Sequence, residues 1–122
     1  MREIKFRAWV RPNPMTPLGE LMSWDGLNDN VSIGWLLTSK SDTGYTLMQY
    51  TGRKDKNDVE IYEGDYVKTH GWEGVIEFSH TGAWVVAQGS FKELLHDFVH
   101  NKWPVEIIGN IYENPELLQV AA

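Results

Sequence analysis

Residues 49–67, QYTGRKDKNDVEIYEGDYV, form the segment around which the rest of the chain is organised. Apolar and aromatic residues at its two ends predict strands, and the mixed charges of residues 53–58 predict a solvated turn. Gly64 is predicted to take a positive φ where the chain reverses, and Asp65 to accept hydrogen bonds from nearby backbone amides. The segment therefore predicts strand, charged turn, tight reversal and strand in quick succession.

Short strands are also predicted on both sides of this segment. Residues 4–10 alternate polar and apolar side chains with period two, as a half-buried strand does. Residues 75–78 and 83–87 read as a hairpin, and residues 105–112 as a final strand in which Ile107, Ile108 and Gly109 suggest a bulge. The pattern predicts a mainly β protein, either a small SH3-like barrel or a strongly bent antiparallel sheet.

The clear helical signals lie in the second half of the chain. Ser90 followed three residues later by Glu93 fits a capping box and predicts one short helix packed on the sheet through Phe91, Leu94, Leu95, Phe98 and Val99. Asn114 before Pro115 predicts a short C-terminal helix. Residues 18–44 have no clear pattern, and residues 31–37 fit a strand or a helical turn equally well.

The composition bounds the classes of function. A chain of 122 residues with 42% hydrophobic residues fits a single domain, 1–122, with an N-terminal strand and irregular segment at 1–48 and a barrel-like core at 49–118. Cysteine is absent, which excludes disulfides and thiolate metal sites. No apolar run approaches the roughly 20 residues that span a bilayer, so a cytoplasmic location is expected.

The candidates for metal or catalytic chemistry are few. His96 and His100 are spaced i, i+4, which would let two imidazoles on a helix share a metal, but no third ligand is obvious and two exposed histidines explain the spacing as well. Glu60, Glu63 and Asp65 could serve as acid–base groups if they were buried close together, but they are better explained as solubilising charges of an exposed turn. Since no phosphate loop or activated nucleophile motif is present, we predict no catalytic residue and no cofactor, and a non-enzymatic role is favoured.

Several cationic and aromatic residues offer a binding surface. They are Lys5, Arg7, Trp9, Arg53, Lys54 and Lys56. Small barrels that bind nucleic acids combine such cations with aromatic side chains. The net charge of −6 opposes binding to phosphate backbones, so nucleic acid is the weaker prediction.

Five motifs in order along the chain resemble the YopX family: EIKFRAW at 3–9, QYTG at 49–52, DKN at 55–57, EIYEGD at 60–65 and VEIIGNIYENPELL at 105–118. The chain departs from that pattern at Val10, where an Asp is common, at Arg53, where an aliphatic residue is usual, and at Asp58, where a Gly is more usual. The resemblance implies a small phage- or prophage-encoded protein, mostly β with an SH3-like barrel component, that self-associates. It implies no activity, cofactor or catalytic residue.

Three functional hypotheses follow. The leading one is a phage accessory protein that acts as a self-associating, non-enzymatic module and binds a host or phage protein. The alternatives are a small barrel that binds nucleic acid and a metal-dependent enzyme that uses the face of His96 and His100.

Overall fold

Strands dominate the protein, which is mainly β as predicted, with a strongly curled half-barrel sheet, a second sheet and a few short helices. The computed structural model describes residues 4–30, 33–38, 43–69, 71–100 and 103–116. The chain forms two compact units, residues 1–50 and 51–122. Within the described residues, no helix is long and apolar enough to cross a membrane.

The first unit is built on a central strand. Its elements are β1 (Phe6–Val10), β2 (Glu20–Met22), α1 (Trp24–Asn30), α2 (Ile33–Thr38) and the first part of β3 (Tyr45–Lys54). β1 pairs antiparallel with both β2 and β3. Ser23, the residue before α1, is its N-cap, because the Ser23 hydroxyl accepts a hydrogen bond from the amide of Gly26 at 3.3 Å. The described residues of the ambiguous run at 31–37 belong to a helix, α2, and not to a strand.

The second unit contains most of the strands. The last residues of β3 are followed by β4 (Glu60–Tyr62), β5 (Asp65–Thr69), β6 (Trp72–Phe78), β7 (Trp84–Gln88), β8 (Phe91–Leu94), α3 (Leu95–His100) and β9 (Glu106–Asn110). Among the described residues, a five-stranded antiparallel sheet runs in the order β8-β7-β6-β5-β9. Residues of this sheet, of β4 and of α3, with the residue before β9, form the core, which comprises Ile61, Val67, Ile76, Val86, Leu95, Phe98 and Val105.

The predicted reversal between β4 and β5 is confirmed. Gly64 has φ +87°, a conformation that glycine adopts without steric cost. Asp65 is 1% exposed, and its carboxylate accepts the amide of Tyr62 at 2.8 Å. The Gly64 amide donates to Ile76 O at 2.9 Å, and the Gly64 carbonyl accepts the Ile111 amide at 3.0 Å. The reversal is therefore tied to two other parts of the second unit.

The predicted bulge is also confirmed. Along the β5–β9 ladder Tyr66 pairs with Gly109 and Val67 with Ile107, so Ile108 is the extra residue. The hairpin at residues 75–87 lies where it was predicted, as β6 and β7.

The predicted helix start at Ser90 is wrong. Residues 91–94 form β8, which pairs with β7 from Val85↔Leu94 to Gln88↔Phe91, and the helix begins only at Leu95. The open edge of β7 offers these residues ladder hydrogen bonds, which outweigh a local cap. Leu95 and Phe98 are buried as predicted, whereas Phe91 and Leu94 are exposed. The C-terminal helix predicted after Asn114 lies largely outside the described residues.

Candidate functional site

A cleft of about 270 Å³ opens in the second unit where the turn after β3 meets the connection from α3 to β9. Its lining is cationic on one side and apolar on the other: Lys54, Asp55, Lys56, Val99, Trp103, Pro104 and Val105. Trp103 is 41% exposed, and its ring lies 5.6 Å from that of Phe98, tilted by 51°. An aromatic face supported by a core residue is thus presented beside lysine side chains.

The Asp55 side chain holds in place the turn that carries the lysines of this cleft. Its side chain, 8% exposed, accepts the amides of Asn57 at 2.8 Å, Val59 at 2.9 Å and Ile107 at 3.1 Å. The first two bonds shape the turn, as Asx side chains commonly do. The third fixes the turn to β9, and the Lys56 amide donates to the carbonyl of Val105, just before that strand, at 2.8 Å. Lys54 and Lys56 therefore flank a buried residue that three hydrogen bonds hold in place.

A smaller lobe of about 170 Å³ shares Lys56 and Pro104 with the cleft. Lys68, Thr69 and Glu106 complete its lining. We call the two cavities together the lysine cleft, and the second one its small lobe. Thr69 is 2% exposed, and its hydroxyl has no hydrogen-bond partner within the part of the chain that the structure describes.

Carboxylates accompany the lysines of the cleft. Lys54 Nζ lies 3.8 Å from the Asp58 carboxylate, and Lys56 Nζ lies 3.6 Å from that of Glu106. Lys68, on β5, pairs directly with Glu106 of β9 on one side and with Glu73 of β6 on the other. These side chains are exposed enough that the ion pairs are weak and exchangeable.

The structure places the predicted cationic residues in different environments. Lys54 and Lys56 line the lysine cleft, but Arg53 Nη2 donates to His96 Nδ1 at 2.8 Å.

Lys5, Arg7 and Trp9 belong to the first unit. There Lys5 Nζ lies 5.2 Å from the centre of the Tyr50 ring, and Arg7 Nη2 lies 3.7 Å from Met48 Sδ. Trp9 lies in β1, across from Leu21 and Thr46.

Sequence reasoning missed Lys68, Thr69 and Trp103 as cleft residues. The signal that was available is an aromatic residue before a proline, a pairing that holds the ring on an extended and exposed segment.

His96 and His100 do lie together, with ring centroids 5.3 Å apart and planes 23° from parallel. Because a guanidinium can only donate, the bond from Arg53 makes His96 Nδ1 the acceptor and occupies it. Within the described ranges, no group of three or more His, Asp or Glu side chains is arranged to hold a metal ion.

Comparison with known proteins gives a family and a fold. The family model described as YopX protein matches residues 5–119. Matching solved structures include the crystal structure of protein EF1440 from Enterococcus faecalis, which is 25% identical, with a TM-score of 0.53 over 97% of this chain and 99% of that one. No curated protein matches. Because the family model covers nearly the whole chain, the protein belongs to the YopX family.

Proposed function

We propose that the chain is a non-enzymatic binding module that takes an acidic segment of a protein partner in the lysine cleft. The observation that carries this proposal is that Lys54 and Lys56 line a cavity walled by Trp103 and Pro104. Lys56 also lines the small lobe, where Lys68 joins it. Cationic groups would pair with carboxylates of the partner, and the aromatic wall would take an apolar side chain between them.

Charge and shape favour a peptide over a nucleic acid. The chain carries a net charge of −6, which weakens any long-range attraction to a phosphate backbone. Glu106, Glu73 and Asp58 interrupt the basic surface at short intervals. A nucleic acid track needs continuous positive charge along several nucleotides, whereas an acidic peptide needs only a few matched carboxylates.

The family resemblance supports an origin in a phage or prophage and a role in the cytoplasm of the host cell. It also supports self-association, which we retain as a proposal separate from the lysine cleft.

The test is a set of fluorescence anisotropy titrations at low salt with rhodamine-labelled probes. The probes are a capped hexapeptide of alternating glutamate and leucine, the same peptide with glutamine for glutamate, and a single-stranded thymidine decamer. We expect the acidic peptide to bind most tightly, with an affinity that falls as salt rises.

A matched pair of variants assigns the binding to the cleft. Lys56→Gln is expected to weaken binding of the acidic peptide by roughly tenfold, because the ligand loses a close charge partner. Lys92→Gln makes the same change at a similar ion pair, in which Lys92 of β8 lies 3.5 Å from Glu77 of β6, and it should leave binding unchanged. Tighter binding of the decamer would replace this proposal with the nucleic acid function, and equal losses in both variants would remove the cleft as the site.

A further inference from the structure

Glu106 occupies an unusual position in the small lobe. Its carboxylate lies 3.6 Å from Lys56 Nζ, and it stands directly across the ladder from Lys68. Both Lys56 and Glu106 line the lobe, with side chains 45% and 41% exposed. One lysine of the lobe is therefore already paired with a carboxylate that the chain itself supplies, and a second lysine is the ladder partner of that same residue.

A second observation marks the same lobe as a polar subsite. Four of its five lining residues are polar or charged, namely Lys56, Lys68, Thr69 and Glu106, and Pro104 is the fifth.

We propose that the small lobe is a carboxylate subsite for an acidic side chain of the partner, and that Glu106 is its internal competitor. This inference rests on the proposed function. In the unbound chain Glu106 neutralises Lys56; on binding, the partner's carboxylate takes Lys56 and Lys68, and the Glu106 side chain turns to solvent. Its partial exposure leaves room for that exchange, and an ion pair this exposed opposes it little.

The proposal predicts a gain of binding on loss of a charge. Glu106→Gln removes the competitor, keeps the shape of the side chain and leaves Lys56 without its carboxylate. We expect it to bind the glutamate–leucine hexapeptide at least about threefold more tightly than the native chain. Glu77→Gln is the matched control, since it removes the same charge from the comparable pair with Lys92 and lies outside the lobe.

The glutamine version of the peptide and small competitors complete the experiment. The gain in Glu106→Gln should be absent with the glutamine peptide, because no carboxylate is present to enter the lobe. Acetate should compete with the acidic peptide more strongly in Glu106→Gln than in Glu77→Gln. Displacement by inorganic phosphate but not by acetate would assign the lobe to phosphate and overturn the carboxylate subsite.

The outcomes separate the two proposals. Equal affinities of Glu106→Gln and Glu77→Gln, with clear binding to the native chain, would overturn the competitor and leave the binding module in place. Failure of every form to bind the acidic peptide would overturn both the module and the subsite. Binding by Glu106→Gln but not by the native chain would support the role of Glu106 as competitor and show that it blocks the subsite in the native chain.

Discussion

Asp55 shows how one side chain connects distant parts of the second unit. Its acceptors shape the turn at 55–59 and reach Ile107, which is 52 residues away. The sequence pattern predicted a solvated turn of mixed charge here, and the exposure of Asn57 and Asp58 agrees with that. The burial of Asp55 could not be predicted, because its partner on β9 is brought close only by the curling of the sheet.

We predict that Asp55→Asn destabilises the protein by about 2–3 kcal/mol, since an amide NH₂ would then face backbone N–H groups in a buried position. Urea unfolding followed by tryptophan fluorescence measures the change. Asp58→Asn is the control, because that side chain is 86% exposed and should change stability by less than about 0.5 kcal/mol. Equal effects of the two variants would contradict the role given to Asp55.

Asp58 stands where a glycine is more usual in the family pattern, and its φ of +66° explains that preference. The turn nevertheless stays tight, with Asp58 N donating to Asp55 O at 3.0 Å and Asp55 N to Val59 O at 2.8 Å. We expect Asp58→Gly to be more stable than Asp58→Ala by about 1 kcal/mol, because alanine resists a left-handed backbone. The same urea series gives both values, and a more stable alanine variant would refute the argument.

Tyr66 gives the chain a pH dependence at alkaline pH. Burial, and after it the negative charge of Glu73, raises the pKa of Tyr66 above 10.0. A raised pKa favours the neutral phenol in the folded state, so this stabilisation is complete below pH 10 and is lost as the pH rises through the folded pKa.

The unfolding free energy of the native chain minus that of Tyr66→Phe should therefore decrease above pH 10. Urea titrations at several pH values between about 8 and 11 measure it, and the difference removes the contribution of other alkaline groups. A difference that is constant with pH would contradict the assignment.

At the level of elements, β8 explains why the predicted helix start at Ser90 is wrong. Its charges also disfavour pairing of two copies through this edge strand. Ser90 and Glu93 have the spacing of a capping box, yet residues 91–94 pair with β7 because an open strand edge lies next to them. The features that the sequence did predict, the reversal at Gly64 and the bulge at Ile108, depend on local backbone chemistry. Those that it missed depend on pairing between segments far apart in the chain.

The outer edge of β8 carries its own protection against pairing. Two copies of β8 could pair antiparallel about a two-fold axis perpendicular to the sheet. Because directly opposite residues lie on the same face of a sheet, the residue numbers of each opposed pair must then differ by an even number. For β8, the two central registers of this kind place Lys92 opposite Lys92, or Glu93 opposite Glu93, of a second copy. Charges on an exposed edge strand oppose association, as in many natural sheets.

Replacing both charges should therefore promote association through this edge. We predict that the double variant Lys92→Thr with Glu93→Thr sediments with a larger dimer or aggregate fraction than the native chain. The double variant Lys92→Thr with Glu77→Thr keeps Glu93 at the edge and serves as the control. Identical sedimentation of both double variants would show that these charges do not guard β8.

The whole molecule combines two compact units, of which the second carries the lysine cleft. Lys54 and Lys56 were predicted as binding residues, but Lys68, Thr69 and Trp103 join them only because β5, β9 and the segment after α3 converge. Self-association stays a prediction, and the charges of β8 direct attention to other surfaces. The family supplies no residue roles, so the binding site depends on the geometry of the cleft.

The most direct measurement is a titration of the ¹⁵N-labelled native chain with the glutamate–leucine hexapeptide, followed by ¹H–¹⁵N correlation spectra. The account predicts saturable shifts of the amides of residues 54–56, 68–69, 103 and 105–106, and of the Trp103 indole. The glutamine peptide should shift them far less at equal concentration. Shifts confined to other residues, or equal shifts with both peptides, would contradict the claim that the lysine cleft binds an acidic partner.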